Sequence, residues 1–117
     1  MKRTVAVLLR RAPFGRVHVA EGLRAASGVA AGFDTHDVTV LFVEDGVYGA
    51  LADADRDALD MTPHIEGLFD LGATLVVDAA ALDARGIDHA LVANDIAIRE
   101  SRKIGRIVRS ADRMMNY

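Results

Sequence analysis

The stretch that decides the fold is TLVVDAAALDARG, residues 74–86. It begins with the apolar β-type run LVV, reaches a single carboxylate at Asp78, and continues in alanine-rich helix formers to Gly86. This pattern predicts a buried strand that leads directly into a helix. In open α/β sheets, ligands bind beside the carboxyl ends of the strands. We therefore place the centre of a candidate site at the turn formed by Asp78, Ala79 and Ala80.

Apolar runs on either side of this stretch predict further elements. Strands are predicted at residues 4–9 and 38–43, with a weak strand at 95–98 and a short edge strand at 113–117. Helices are predicted at residues 18–31, 61–71 and 99–111. Strands that alternate with helices in a short chain imply right-handed crossovers and a parallel sheet covered on both faces. The sequence therefore predicts a three-layer α/β/α fold with a mainly parallel sheet of about five strands, in a single domain over residues 1–117.

Small and polar residues mark the predicted helix ends. Gly32 and Gly72 are predicted to end the first and second helices, and Thr62 is a good N-cap for the second. Gly22 and Gly28 lie inside the first helix, where glycine weakens an isolated helix but allows close packing on a sheet.

Composition excludes several classes of protein. The 117 residues carry a net charge of −3 and contain no cysteine, so they form no disulfide, thiolate metal site or protein persulfide. The four histidines show no metal-ligand spacing, and neither a metal nor a cofactor is expected. No segment approaches the ~20 apolar residues of a membrane span. We expect a cytoplasmic protein without direct nucleic-acid binding, since the charge balance gives no general attraction to phosphates.

Polar residues follow each of the three strongest predicted strands. They are Arg10, Arg11 and Arg16 after the first strand, Asp45-Gly46-Val47-Tyr48 after the second, and Asp78-Ala79-Ala80 after the third. Because the carboxyl ends of parallel strands meet at one edge, we expect these residues to line one crevice. Each of these groups also has a simpler structural interpretation. The arginines suit a solvated loop, Asp-Gly is a turn signal, and Asp78 suits a helix N-cap. Val47 and Tyr48, if exposed, are suitable anchors for a subunit contact.

The last predicted helix carries a basic stripe. Arg99, Arg102, Arg106 and Arg109 recur at intervals of three, four and three residues, and Lys103 lies beside them. Such a stripe is typical of the solvated face opposite an apolar one. The alternative is a docking surface for an acidic partner or for the backbone of tRNA.

Several stretches resemble one family. They are the opening MKRTVAVLLRRAPFG, the triplet EGL at residues 21–23, the strand and turn VTVLFVEDGVYGAL, the stretch LFDLGATLVVDAAALDARGID, and the ending at residues 112–117. Their order and spacing resemble the DsrE/DsrF-like family and, within it, the DsrF/TusC branch. The resemblance implies a small α/β/α domain that forms trimers or hexamers with itself or with DsrE/TusD-like paralogues. It also implies a role in sulfur relay, in sulfur oxidation or tRNA thiolation, with a sulfur-carrier protein as a further partner.

One difference from this family bears on function. The resemblance implies that sulfur-carrying members place a cysteine at the end of the strand that here ends in Asp78. A sulfur relay needs a thiolate that attacks a persulfide, and aspartate does not supply one. We therefore expect a non-catalytic subunit of a sulfur-relay-type assembly. The alternative is a stand-alone homo-oligomeric domain that binds a small ligand or anion in the crevice. A hydrolytic enzyme is disfavoured, because no nucleophile or metal set is recognisable.

Overall fold

The structure is a computed structural model and describes residues 3–14, 18–31 and 36–117. Its elements are β1 (Thr4–Leu9), α1 (His18–Ala30), β2 (Asp37–Phe42), α2 (Thr62–Asp70), β3 (Thr74–Asp78), α3 (Ala79–Ala84), β4 (Ala97–Arg99), α4 (Ser101–Ser110) and β5 (Arg113–Asn116). Two short 3₁₀ helices, Glu44–Ala50 and His89–Leu91, lie in the connections. Arg16 and Gly32, which carried predictions from the sequence, lie outside the described residues.

The strands form one sheet with the order β4-β3-β2-β1-β5, and every neighbouring pair is parallel. The predicted parallel α/β fold is therefore confirmed. The longest apolar runs, β1 and β2, occupy the interior of the sheet, whereas the short β4 and β5 form its two margins. Because all strands point the same way, the residues that follow them gather along one end of the sheet. We call this end the carboxyl edge, comprising residues 10–11, 43–45, 78–80, 99–101 and 116–117.

Alternate strand residues face two separate apolar layers. The larger layer includes Val7, Val40 and Val77 and is covered by α1, α2 and α3. The smaller layer lies on the opposite face, where Leu41 packs with Ile104 of α4. Since α4 leads from β4 at one margin to β5 at the other, it crosses this second face alone among the described helices.

Two glycines end the helices on either side of β3. Gly72 follows α2 with φ +79° and Gly86 follows α3 with φ +65°, a left-handed backbone that glycine adopts without a Cβ penalty. The next residue donates its N–H across the last turn in each case, as Ala73 does to the carbonyl of Leu68 at 2.9 Å. The prediction that Gly72 ends a helix is therefore confirmed.

The predicted start of α2 is displaced by one residue. Thr62 is the first helical residue and Met61 occupies the cap position, without a side-chain cap. The Thr62 hydroxyl instead donates to the Asp57 carboxylate at 2.5 Å. Thr62 as N-cap is thus wrong, because the Met61 carbonyl already accepts the helical hydrogen bond from the Ile65 N–H at 3.0 Å, which makes Met61 the cap. Within the described residues no helix is long and apolar enough to cross a membrane.

Candidate functional site

The carboxyl edge carries a charged or polar residue after every strand. The order across the sheet is Tyr117 after β5, Arg10 after β1, Glu44 after β2, Asp78 at the end of β3, and Arg99 at the end of β4. Two cations, Arg10 and Arg99, therefore flank two anions, Glu44 and Asp78, along this edge. The pairs that these side chains form were not predicted from the sequence.

Asp78 links the two helices that start beside it. Its Oδ1 accepts a hydrogen bond from the Ala80 N–H at 3.2 Å, which makes it the N-cap of α3. The same oxygen accepts from the Ser101 hydroxyl at 2.8 Å. Ser101 opens α4 directly after β4, the strand that pairs with β3. The carboxylate thus holds the starts of α3 and α4 together. Ala79 is half-buried and Ala80 is exposed next to it.

Asp45 is held by an arginine that the sequence did not single out. Arg85, at the end of α3, donates to Asp45 Oδ1 from Nε at 3.1 Å and from Nη2 at 2.9 Å. Its Nη1 donates to the Ala81 carbonyl at 3.1 Å. The Asp45 side chain is 64% exposed, so this pair contributes below about 1 kcal/mol and mainly orients the two groups.

The two described arginines after β1 contact residues other than Asp45 and Asp78. Arg10 forms a two-pronged ion pair with Glu44, with distances of 3.1 and 3.3 Å. Arg11 Nη1 lies 2.6 Å from His18 Nε2. A guanidinium has only donors, so His18 Nε2 is the acceptor in this contact. The other ring nitrogen, Nδ1, is buried and has no hydrogen-bond partner in the part of the chain that the structure describes.

A cavity of about 310 Å³ opens beside these side chains. Its lining consists of Arg10, Arg11, His18, Glu44, Asn116 and Tyr117. The cavity therefore lies at the β1 and β5 ends of the carboxyl edge. Asp45 and Asp78 belong to the neighbouring β2 and β3 ends, where each has the partners described above. The residues predicted for one crevice are thus divided between two adjoining parts of the edge.

The segment after Asp45 packs inward. A Cβ added to Gly46 would lie 1.8 Å from the Leu9 carbonyl oxygen, so the 3₁₀ helix touches the backbone of β1. Val47 is 0% exposed and lies in the larger apolar layer, while Tyr48 is half-buried. The expectation of an exposed Val47 is therefore wrong, because the 3₁₀ helix turns that side chain towards the sheet. The Asp-Gly pair reflects this close backbone approach as well as a turn.

The basic stripe is shorter than the sequence predicted. Arg99 belongs to β4, since Glu100 has extended backbone (φ −65°, ψ 152°) and α4 begins after it. Placing Arg99 on the helix is thus wrong. Arg102, Lys103, Arg106 and Arg109 do lie on α4, and all four are exposed.

The arrangement provides hydrogen bonds and charge, and no recognisable nucleophile. The Ser101 hydroxyl donates to a carboxylate, and among the described residues no histidine hydrogen-bonds to it as a general base. In the described residues no three His, Asp or Glu side chains are placed to hold a metal ion. Ser101 and Arg85 were missed because their partners lie 23 and 40 residues away in the chain. The available signal for Ser101 was a serine at a helix start directly after a strand.

Comparison with known proteins identifies the fold and the family. The chain is similar to the E. coli protein YchN, with a TM-score of 0.81 and 19% identity over all of both chains. It also resembles MTH1491, a protein of unknown function from Methanobacterium thermoautotrophicum, with a TM-score of 0.75 and 12% identity over all of both chains. These two likenesses concern the fold alone.

Two curated relatives are similar in sequence. The intracellular sulfur oxidation protein DsrF of Allochromatium vinosum is 36% identical over 84 residues, which are 68% of this chain and 60% of that protein. A TusC homolog of Pasteurella multocida is 39% identical over 51 residues, which are 44% of this chain and 43% of that protein. The matched segments thus span less than two thirds of either relative. A family model matches residues 3–117, and the chain belongs to the DsrE/DsrF-like family.

Proposed function

We propose that the chain is a non-catalytic DsrF/TusC-like subunit of a sulfur-relay-type assembly. It would act in sulfur oxidation or tRNA thiolation in the cytoplasm, binding partner subunits without carrying sulfur itself. Membership in the family and the similarity to relatives named DsrF and TusC support the assembly. The absence of cysteine from the 117 residues supports the non-catalytic role.

The observation that carries the proposal is the chemistry at the end of β3. A sulfur carrier attacks a persulfide with a thiolate and keeps the outer sulfur as its own persulfide. Asp78 stands at this strand end, and its Oδ1 already accepts hydrogen bonds from Ala80 and Ser101. A carboxylate oxygen forms no persulfide. The position therefore supports the start of two helices where a carrier would need a free thiolate.

Mass spectrometry after incubation with a persulfide donor tests the absence of sulfur transfer. We expect no stable adduct of about 32 Da, the mass of one sulfur atom, on the wild-type chain. Asp78→Cys serves as the reactive control, and Asp70→Cys on the exposed end of α2 controls for any surface thiol. An adduct on the wild-type chain, or unaided transfer of sulfane sulfur to an acceptor, would overturn the proposal.

The proposed partners are further copies of this chain, as a trimer or hexamer, or cysteine-bearing DsrE/TusD-like paralogues. A sulfur-carrier protein would engage the assembled complex. Co-purification with tagged chain from native lysate tests this, because a relay subunit should bring down relatives that take up the persulfide label. A chain that is monomeric and brings down no thiol-bearing relative would contradict the assembly.

A second candidate function is supported by the cavity at the β1 and β5 ends. Arg11 is exposed there, and its guanidinium contacts the His18 ring, so it offers a positive charge to a small anion. In this reading the chain is a stand-alone homo-oligomeric domain that binds a small anionic ligand. A thermal-shift screen with thiosulfate, nucleotides and flavins tests it, since a ligand of the folded state raises the melting temperature. A shift that Arg11→Gln removes would support this function, and no shift would favour the partner-binding subunit.

A further inference from the structure

An apolar groove with a basic rim runs between α4 and the sheet. It measures about 260 Å³ and lies at the amino ends of β1 and β2, away from the carboxyl edge. Ala6 and Ile107 contribute to its floor, and Lys103 and Arg106 lie at its rim; the full lining is Thr4, Val5, Ala6, Asp37, Thr39, Lys103, Arg106, Ile107, Ser110 and Ala111. Asp37, the one acidic residue among these lining residues, already takes part in an interaction. We call this feature the basic groove.

The charge of α4 makes this groove selective for an acidic occupant. The helix contains four cations and no acidic residue, in a chain whose net charge is −3. The helix contributes +4, so the rest of the 117 residues has a net charge of −7, which is −3 minus +4. An occupant with carboxylates around an apolar side chain would match both parts of the groove. Nucleic acid would use only the charges and leave the apolar floor uncovered.

The same chain presents a surface of this kind. Residues 53–60 carry four exposed aspartates, namely Asp53, Asp55, Asp57 and Asp60. The one cation among them, Arg56, turns away to a two-pronged ion pair with Asp95, with both distances 2.7 Å. The outward charge of the segment is therefore acidic alone.

An exposed leucine lies next to this acidic segment. Leu51 and Val92 form an antiparallel bridge, and the Ala52 N–H donates to the Leu91 carbonyl at 2.8 Å. Leu91 ends the 3₁₀ helix His89–Leu91 and is 52% exposed, whereas the next residue, Val92, is buried. We call Leu91 and the four aspartates the acidic ridge.

The groove and the ridge lie on opposite faces of the sheet. Ile107 of α4 packs against the smaller apolar layer, whereas Leu59 and Val92, beside the ridge, pack against the larger one. One molecule therefore cannot bring its own ridge into its own groove. Two molecules can form this contact. One ridge then occupies one groove, and the pair keeps one ridge and one groove unused.

We infer that the basic groove binds the acidic ridge of a second copy of the chain. Leu91 of one copy enters the groove of the next, and the aspartates of the ridge face Lys103 and Arg106. The contact is head-to-tail, so repeated contacts close into a ring when the rotation between copies permits. This inference rests on the self-association in the proposed function, and it names the two surfaces that make the contact.

Charge reversal on either surface tests the contact by sedimentation and light scattering. We expect Lys103→Glu/Arg106→Glu and, separately, Asp53→Lys/Leu91→Ser to weaken self-association at least about tenfold, because attraction between the surfaces becomes repulsion. Wild-type association should also weaken between about 0.05 and 0.5 M NaCl. Arg24→Glu and Phe69→Ser are matched controls on exposed parts of α1 and α2, and both should associate like the wild type. Melting curves check that each variant is folded.

Mixing the two weakened variants gives the decisive result. Each keeps the surface that the other has lost, so an equimolar mixture should form a dimer that cannot grow further. A groove variant that associates like the wild type, a mixture that stays monomeric, or a monomeric wild-type chain would each overturn the inference. These measurements use the chain alone without persulfide. Failure of the inference is therefore distinguishable from sulfur uptake by the wild-type chain, which would overturn the proposed function.

Discussion

Gly46 is the residue whose replacement tests the construction of the carboxyl edge most directly. A Cβ at this position would lie 1.8 Å from the Leu9 carbonyl oxygen and 2.6 Å from the Leu9 carbonyl carbon. Both atoms belong to the backbone of β1, the strand between β2 and β5, and cannot rotate away. The Leu9 oxygen also accepts from the Val43 N–H at 3.0 Å. Gly46→Ala must therefore push the 3₁₀ helix away from the sheet.

The cost of that displacement follows from what it disrupts. The hydrogen bonds from Val43 to Leu9 and from Gly46 to Val43 contribute about 1 kcal/mol each. Partial exposure of Val47, now fully buried, adds about 1–3 kcal/mol. We expect Gly46→Ala to lower the free energy of unfolding by about 3–5 kcal/mol, a large share of the 5–15 kcal/mol typical of a domain.

Urea denaturation at one fixed protein concentration measures this loss, with two other glycines as controls. Gly28→Ala meets nothing within 4 Å in α1 and should raise stability by about 0.5–1 kcal/mol. Gly22→Ala meets the side chains of Leu9 and Tyr117 at 2.4 and 3.0 Å, which can partly yield, and should cost about 1–3 kcal/mol. A Gly46→Ala variant within about 0.5 kcal/mol of the wild type would refute the proposed contact between the 3₁₀ helix and β1.

Two further predictions concern carboxylates with defined partners. Asp78→Ala should lower the free energy of unfolding by about 1 kcal/mol in urea denaturation, because α3 loses its cap. Asp78→Asn keeps an oxygen acceptor and should stay within about 0.5 kcal/mol of the wild type. A loss of several kcal/mol for both variants would instead indicate a fully paired buried charge. The Arg56 guanidinium holds the pKa of Asp95 below its usual range through their side-chain hydrogen bonds. The stabilisation from Asp95 is therefore complete above its ordinary pKa near 4 and is lost as pH falls through the lowered value. The stability gap between wild type and Asp95→Asn should accordingly be about 1–2 kcal/mol at neutral pH and shrink in strong acid, and a gap that widened in acid would contradict the ion pair.

Most of the fold could be predicted from local pattern. The runs that became β1, β2 and β3 are apolar on both faces, which is the pattern of strands buried in a parallel sheet. The two outer strands were harder to predict, because β4 and β5 span only Ala97–Arg99 and Arg113–Asn116 and show little periodicity in their apolar residues. The start of α4 was misplaced for a related reason. Arg99 continues the spacing of the basic stripe, and only the extended backbone at Glu100 separates it from the helix.

The sequence predicts the location of the candidate site, but it does not predict which of its charged residues pair with each other. Parallel strands guarantee that Arg10, Asp45 and Asp78 follow strands at the same edge. Which cation pairs with which carboxylate depends on the path of the connecting segments. That path is set by packing against residues that are distant in the sequence. The 3₁₀ helix buries Val47, so Asp45 faces Arg85 at the end of α3 and Glu44 takes Arg10.

The end of β3 shows why a carboxylate suits the proposed non-catalytic role. Two helices start beside this strand end, and each presents a donor to the residue at position 78: the Ala80 N–H and the Ser101 hydroxyl. Aspartate satisfies both with one strong acceptor oxygen, whereas a thiol is a weak acceptor. A cysteine here would leave these donors to water and keep its sulfur available to a persulfide. Aspartate instead uses the same position to hold α3 and α4 in place. Asp78 therefore secures the start of α4, the helix that borders the basic groove, at the position where the proposed role requires no thiolate.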